Sequence, residues 1–322
     1  MKINYISMFD PSAHHGGGEM IAWDVIKSGR LRGHTFTISS ARPKVRFEFD
    51  ESAEMDLLVD VYNYPATVKS MGAWKDLPEG LLDKVLGRNR FMHMSNAYVD
   101  VCNLPYLPCS GESNPICRYK SPLKLLRNIS AKDFSVDCFS RGKQVQDLFS
   151  KSRLNIFLSP LHRDTCLKIL NLESSPPNFV LKPTVDKKLF FNMGIERDID
   201  YLFVGVIGES KGLNELRREY SNKNIHFAGR VYPGEKLDFG TYHGAVSYEK
   251  IPYLMNRAKN FVFLPRWPEP QGRVVIEAAL CGCKLLTNGY VGATSFPFDI
   301  GNPENFNNAT EDLWKAIEEL NG

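Results

Sequence analysis

The sequence predicts an α/β protein made of two doubly wound domains facing each other across a cleft. Three observations lead there. Short apolar runs alternate with longer amphipathic stretches, the pattern of parallel strands covered by helices. The pattern completes itself in the first half of the chain and restarts at Ile199. The 322 residues suffice for two domains, each with its own core. Paired folds of this kind take ligands at the carboxyl ends of their strands.

Strands are expected over Ile3–Met8, Thr35–Ser39, Leu57–Val61, Arg90–Met94, Ser135–Phe139, Leu154–Leu158 and Phe179–Leu181. Between them, helices fit Gly18–Leu31, Leu81–Leu86, Gln144–Ser150 and Arg163–Leu170, with Gly33 placed where a helix commonly ends on glycine. Lys182–Gly194 has a proline near its start and reads as a linker. In the second half, strands fit Ile199–Val206, Ile225–Ala228, Ala245–Ser247, Phe261–Leu264 and Lys284–Thr287. Helices fit a stretch from about Gly212, then Lys250–Lys259 and Arg273–Cys281. Ala309–Leu320 sets Leu313, Ala316, Ile317 and Leu320 on one side of a final helix. The domains are therefore 1–182, 183–308 and a C-terminal helix, 309–322, that could pack back toward the first domain.

Composition narrows the function. Hydrophobic residues make up 43% and charged residues 24%, as in an ordinary soluble protein. A net charge of +3 argues against a dedicated nucleic-acid binder. No apolar run is long enough to span a bilayer, and Met1–Asp10 reads as a first strand and not a signal peptide. Seven cysteines are an odd number for a disulfide framework. Cys102, Cys109 and Cys117 lie close together but lack the spacing of a zinc site, so they read as reduced thiols in a cytoplasmic protein. Residues 118–153 carry nine Lys or Arg against three acids. That is a solvated face or a surface for an anionic acceptor or membrane head groups, which would make the location peripheral to a membrane.

The densest chemistry lies in Pro265-Arg266-Trp267-Pro268-Glu269-Pro270-Gln271-Gly272-Arg273-Val274-Val275-Ile276-Glu277. A strand gives way to a loop and then to a helix. Glu277 falls among apolar residues, so it is expected to be buried and to need a partner, which ribose hydroxyls could supply. Glu269 stands at the loop mouth, where it could meet sugar hydroxyls. Backbone N–H groups from Gln271 to Val274 would aim from the helix start at a diphosphate. In the first domain, Gly16-Gly17-Gly18 joins a strand to a helix and would let a phosphate approach the backbone; His14 and His15 precede it. His93 lies near the carboxyl end of a predicted strand, either as a core histidine or as a group in the cleft. No Ser-His-Asp arrangement and no Asp-x-Asp is present.

The segment resembles the Glu-x7-Glu motif of glycosyltransferase family 4, retaining enzymes of the GT-B fold with two Rossmann-like domains, and Glu269 and Glu277 occupy its two positions. Four further segments resemble the family in order: Asn178–Asp186, Ile225–Val231, Ser247–Met255 and Cys281–Thr287. Phe203-Val204-Gly205-Val206-Ile207-Gly208-Glu209-Ser210-Lys211-Gly212 resembles its phosphate-binding loop. Lys211 matches the lysine of that loop, whereas Val206 stands where the family usually has an arginine; Arg273 is the candidate substitute. The Gly17-Gly18 turn is also similar to the family's.

The resemblance implies a hexosyltransferase-type enzyme that moves a sugar from a UDP- or GDP-linked donor to a glycan, lipid or other hydroxyl acceptor. It implies retention at the anomeric carbon and no metal or other cofactor. His93, Lys211 and Glu269 would then be catalytic. Gly17, Gly18, Gly205, Gly229, Arg230, Pro270, Gln271, Gly272, Arg273, Val274 and Glu277 would bind the donor, with Gly229 and Arg230 at the base and Glu277 at the ribose. Two alternatives keep the fold: an inactive nucleotide-sugar-binding protein, which Val206 favours, and a nucleotide-sugar epimerase.

Overall fold

The computed structural model describes residues 1–13, 16–42, 47–61, 80–101, 143–172 and 174–320. They form two compact units. The first comprises Met1–Leu158, His162–Lys182 and Asn308–Gly322, and the second Ser159–Leu161 and Pro183–Asn307. Among the described residues, no helix is long and apolar enough to cross a membrane.

The first unit holds a six-stranded parallel sheet: β1 (Lys2–Phe9), β2 (Thr35–Arg42), β3 (Met55–Val59), β4 (Phe91–Met94), β5 (Asn155–Phe157) and β6 (Asn178–Val180). The spatial order is β2-β1-β3-β4-β5-β6. Its helices are α1 (Gly17–Leu31), α2 (Leu81–Arg88), α3 (Lys143–Ser150) and α4 (Pro160–Leu170), with the last helix of the chain, α8 (Ala309–Glu319), added from beyond the second unit. α1 buries Ile21, Ala22, Val25, Ile26 and Gly29, a stripe at helical spacing that faces the sheet core. α8 buries Ala309, Leu313, Trp314 and Ile317 and packs on α1. Trp314 is the pivot of that contact. It is fully buried, its indole N–H donates to Val25 O at 2.9 Å, and its ring lies over Gly29, where a Cβ would meet it. Arg32 also grips the Glu318 carboxylate through two nitrogens.

The second unit holds a five-stranded parallel sheet of β7 (Ile199–Val204), β8 (Ile225–Ala228), β9 (Thr241–Tyr242), β10 (Ala258–Phe263) and β11 (Lys284–Thr287), in the order β11-β10-β7-β8-β9. β7 lies in the middle, paired with β8 on one side (Phe203↔Phe227) and with β10 on the other (Phe261↔Leu202). Phe203 stacks on Phe263 and tilts against Phe227, with ring centres 5.9 Å apart in both pairs, at the heart of this core. Three helices complete the unit: α5 (Leu213–Tyr220), α6 (Ile251–Arg257) and α7 (Arg273–Leu280).

Most expected elements are present, with some boundaries moved. The strand expected at Ala245–Ser247 is absent, and the edge strand is Thr241–Tyr242 instead. Both of its residues are exposed, so it carries no apolar pattern, and Gly244 at φ +75° turns the chain before Ala245. The helix expected through Lys259 stops at Arg257. Ala258 takes extended angles to enter β10, and the Arg197 guanidinium caps the end by binding Met255 O, Ala258 O and Cys281 O. The first strand of this half ends at Val204, because Gly205 turns out of it at φ +140°. The strand expected at Ser135–Phe139, residues 118–142 of the basic stretch, and Cys102, Cys109, Cys117, His14 and His15 lie outside the described residues.

Trp314→Ala removes a fully enclosed indole and leaves a cavity between α1 and α8. It is expected to lower unfolding free energy in denaturant titration by about 3–5 kcal/mol. Leu320→Ala, at an exposed site past the same helix, is expected to stay within about 0.5 kcal/mol of the parent.

Candidate active site

The order of the second sheet locates the site. From β7 the chain first adds β8 and β9 on one side, then crosses back to add β10 and β11 on the other. The connections that leave β7 and β10 therefore run in opposite directions and part at the carboxyl ends of these two strands, which is where open α/β sheets bind ligands.

Glycines let the loops close in around this point. Gly205 and Gly229, at φ +140° and +134°, follow β7 and β8. A Cβ on Gly229 would overlap the carbonyl oxygen of Gly205, so the two backbones touch. The loops are then joined by Ile207 N–H to Arg230 O at 2.9 Å and Tyr232 N–H to Ile207 O at 2.9 Å. Gly212, at φ +86°, presses on the Leu264 carbonyl at the end of β10. Arg230 is exposed at the rim, and Val206 is a 40% exposed apolar side chain.

Lys211 reaches from the β7 loop to the β10 loop and pairs with the Glu269 carboxylate. Its ammonium also lies 4.8 Å from the centre of the Trp267 ring and 5.6 Å from that of Phe263. Both charged side chains are more than four-fifths buried, so aromatic faces and the opposite charge replace much of their water. The backbone of Glu269 is fixed independently: its N–H donates to Tyr290 O at 2.7 Å and its carbonyl accepts Gly292 N–H at 3.0 Å. Pro270 O accepts the Ser159 hydroxyl, and Gln271 is buried.

Gly272, at φ +73°, turns the chain into α7. No side chain caps this helix, so the amides of its first turn, Val274 included, point out of its N-terminus beside Glu269. Five residues on, Glu277 is buried, with 4% of its surface exposed. Its Oε1 accepts the Tyr248 hydroxyl at 2.7 Å and Arg273 Nε at 3.0 Å, and Arg273 also donates to the Tyr248 oxygen at 3.2 Å. Burial pushes the Glu277 carboxyl up from its ordinary value, while Arg273 and the Tyr248 hydrogen bond pull it back.

The structure thus brings Gly205, Lys211, Gly229, Arg230, Glu269, Pro270, Gln271, Gly272, Arg273, Val274 and Glu277 to neighbouring strand ends of one unit. Two details differ from expectation. The need of Glu277 for a partner is met inside the chain, by Arg273 and Tyr248. Arg273 is accordingly no open phosphate cation in place of an arginine at Val206, because its guanidinium turns along its own helix.

The remaining expected residues lie in the first unit. Gly18 is needed at the start of α1, since a Cβ there would sit 2.8 Å from the Asn96 side chain; Gly17 has open space around it. His93 is entirely enclosed in β4. Its Nε2–H donates to Asp100 Oδ2 at 2.7 Å, and its ring meets Phe149 edge-on, so no edge of the imidazole reaches solvent. Near it, Asp60 holds a left-handed backbone at φ +50° after β3 and accepts the N–H groups of Asn96 and Ala97 at 2.9 and 3.4 Å. Burial and the neighbouring Asp100 charge push the Asp60 carboxyl well up. Sequence reasoning missed Asp60, Asp100, Tyr248 and Trp267. Only Trp267 carried a local signal, as an indole within a proline-rich loop.

No protein-family model matches the chain, and no curated protein matches it by sequence. Solved structures do. Sucrose-phosphate synthase from Thermosynechococcus elongatus matches with a TM-score of 0.61 and 13% identity, over 99% of this chain and 90% of that one. HepE from Anabaena, in complex with UDP and glucose, matches at 0.53 and 14%, over 99% and 92%. The lipopolysaccharide outer core galactosyltransferase WaaB, in its apo form, matches at 0.53 and 12%, over 99% and 90%. At such identities the likeness shows the fold, which is that of the GT-B glycosyltransferases.

The Gly205–Gly229 contact makes a direct prediction. Gly229→Ala is expected to cost on the order of 3 kcal/mol or more in chemical denaturation, since strain and a backbone clash add. Gly234→Ala, at φ +86° with no atom within 4 Å of its Cβ, is expected to cost only about 1–2 kcal/mol.

Proposed function

We propose that the chain is a retaining glycosyltransferase of the hexosyltransferase type, using a nucleotide-diphosphate sugar as donor. The observation that carries this is the convergence at one switch point of a cation, two carboxylates and an uncapped helix N-terminus, on a fold whose solved examples include HepE bound to UDP-glucose. Gly229 and Arg230 receive the base, and Glu277 offers a carboxylate oxygen to the ribose. The diphosphate lies against Lys211, Gly205 and the Gly272–Val274 amides, with Pro270 and Gln271 shaping the loop. An incoming diphosphate competes with Glu269 for Lys211. The released Glu269 is then free to accept hydroxyls of the donor sugar.

Breaking the sugar–phosphate bond develops positive charge at the anomeric carbon and negative charge on the leaving diphosphate. Lys211 and the helix amides are aimed where that negative charge grows. The departing phosphate takes the acceptor's proton on the same face, giving retention without a carboxylate nucleophile. His93, sealed on Asp100, organises the loop after β4 and stays out of the chemistry. Gly17 and Gly18 keep their phosphate role by resemblance alone. The acceptor is a hydroxyl compound.

A second reading has one observation in its favour. Val206 places an exposed apolar side chain in the loop that would cradle the diphosphate. A chain that binds nucleotide sugars without turning them over would fit that feature.

A thermal-shift panel of UDP- and GDP-sugars, followed by hydrolysis and transfer assays with the hit, separates the two. Transfer or slow donor hydrolysis supports the enzyme; tight binding with neither supports the second reading. Lys211→Ala is expected to lower turnover about 10²–10³-fold, with a much smaller change in donor affinity. Glu277→Gln, which keeps the shape of the side chain, is expected to weaken donor binding about tenfold or more; unchanged affinity would remove Glu277 from the site.

A further inference from the structure

We infer that Tyr248 is a positioning residue for nucleotide recognition: with Arg273 it saturates one oxygen of Glu277, so that the other is presented in a fixed direction to a ribose hydroxyl. The inference rests on the reading of Glu277 as the ribose contact.

Within α7 itself, Arg273 is the ion-pair partner of Glu277. Arg273 and Glu277 are four residues apart, with the cation N-terminal to the anion, the weaker orientation for such a pair. Glu277 also lies in the second half of α7, where the helix dipole disfavours negative charge. A lone intrahelical pair would hold this buried carboxylate poorly. Tyr248 supplies a restraint from outside the helix. It opens the 3₁₀ turn Tyr248–Lys250 that leads into α6, and α6 packs against α7. Its ring is braced edge-on by Phe190, with centroids 5.3 Å apart.

The hydrogen bonds then decide which oxygen is open. A carboxylate oxygen has two lone pairs. Those of Oε1 are taken by the Tyr248 hydroxyl and Arg273 Nε. Among the described residues Oε2 has no hydrogen-bond partner. The Tyr248 hydroxyl is itself held, because it donates to Glu277 and accepts from Arg273. The triangle can turn in neither direction without breaking a charged hydrogen bond.

Among the described residues, the charged and titratable groups around Glu277 are these. Arg273 lies on its own helix, Tyr248 on the facing turn, and Cys281 one turn further on. Burial pushes the Cys281 thiol up to about 12 and raises the Tyr248 hydroxyl as well, so both stay neutral around pH 7. Burial raises the Glu277 carboxyl from its ordinary value, and Arg273 and the Tyr248 hydroxyl pull it back. The Tyr248 hydrogen bond favours its charged form, so removing the hydroxyl raises the Glu277 pKa and brings protonation in at higher pH.

The test is binding of UDP-glucose, whose diphosphate has no titration of its own near neutrality, measured calorimetrically from pH 5.5 to 8.5. Tyr248→Phe is expected to move the acid limb of affinity upward by about one pH unit, leaving binding about tenfold weaker on that limb and closer to the parent at pH 8.5. Arg273→Gln, which strips the other donor from the same oxygen, is expected to shift the limb in the same direction and serves if the first variant folds poorly. Inorganic pyrophosphate, which has no ribose, should bind the parent and Tyr248→Phe equally at each pH. In a Glu277→Gln background, Tyr248→Phe should leave the pH profile unchanged. A parent that binds UDP-glucose while Tyr248→Phe keeps its affinity and pH profile overturns the positioning role alone. An equal loss of pyrophosphate binding overturns it as well, in favour of general damage to the loop. A parent that binds neither UDP-glucose nor any GDP-sugar overturns this inference together with the ribose role on which it rests.

Discussion

The second unit depends on where its sheet reverses. β7 lies in the centre, and the chain builds outward from it first on one side and then on the other. The carboxyl ends of β7 and β10 are adjacent, yet the connections that leave them diverge, so no helix can cover the gap between them. Side chains from loops distant in sequence fill its walls instead. Lys211 and Glu269 are 58 residues apart and meet there because two neighbouring parallel strands end side by side. Gly205, Gly212, Gly229 and Gly272 take left-handed or otherwise restricted backbone angles around the same point, which lets the loops approach closely.

Charge is kept out of water in this unit by two different means. Lys211 and Glu269 neutralise each other over the Trp267 and Phe263 rings, each retaining some exposure. That pair keeps an opening to solvent, through which another ion can take the place of one partner. Glu277 is buried more deeply and accepts hydrogen bonds from Arg273 and Tyr248, which are themselves joined by a third. Breaking such a set leaves a charge uncompensated in the interior, which is far more costly. In the proposed function, the exchangeable pair suits a place where phosphate arrives and leaves. The rigid set suits a group that must keep one direction throughout.

The first unit resolves its buried charges differently. Asp60 takes two backbone N–H groups, yet burial and Asp100 still push its carboxyl up, and His93 is enclosed on Asp100 with no solvent-facing edge. His162 is buried as well; desolvation drives its pKa down to about 3, so it stays neutral. These groups organise the loop after β4 through hydrogen bonds. Seen in sequence, His93 near a strand end was equally compatible with a core role and with an open cleft, since strand position does not say what covers the strand's end.

By itself, the sequence determined the alternation of strands and helices, the restart at Ile199, and the strand–loop–helix on which Glu269 and Glu277 lie. These are near-neighbour properties, written as periodicity, as glycines at turns and as the apolar surroundings of a single acid. The edge strand Thr241–Tyr242 escaped because an exposed strand needs no apolar pattern. Only the tertiary structure decided partners: Lys211 with Glu269, Arg273 and Tyr248 with Glu277, His93 with Asp100, and Trp314 from the end of the chain with α1. Pairing depends on which strand ends and helix faces become neighbours, and spacing along the chain carries no record of that when the partners belong to different elements.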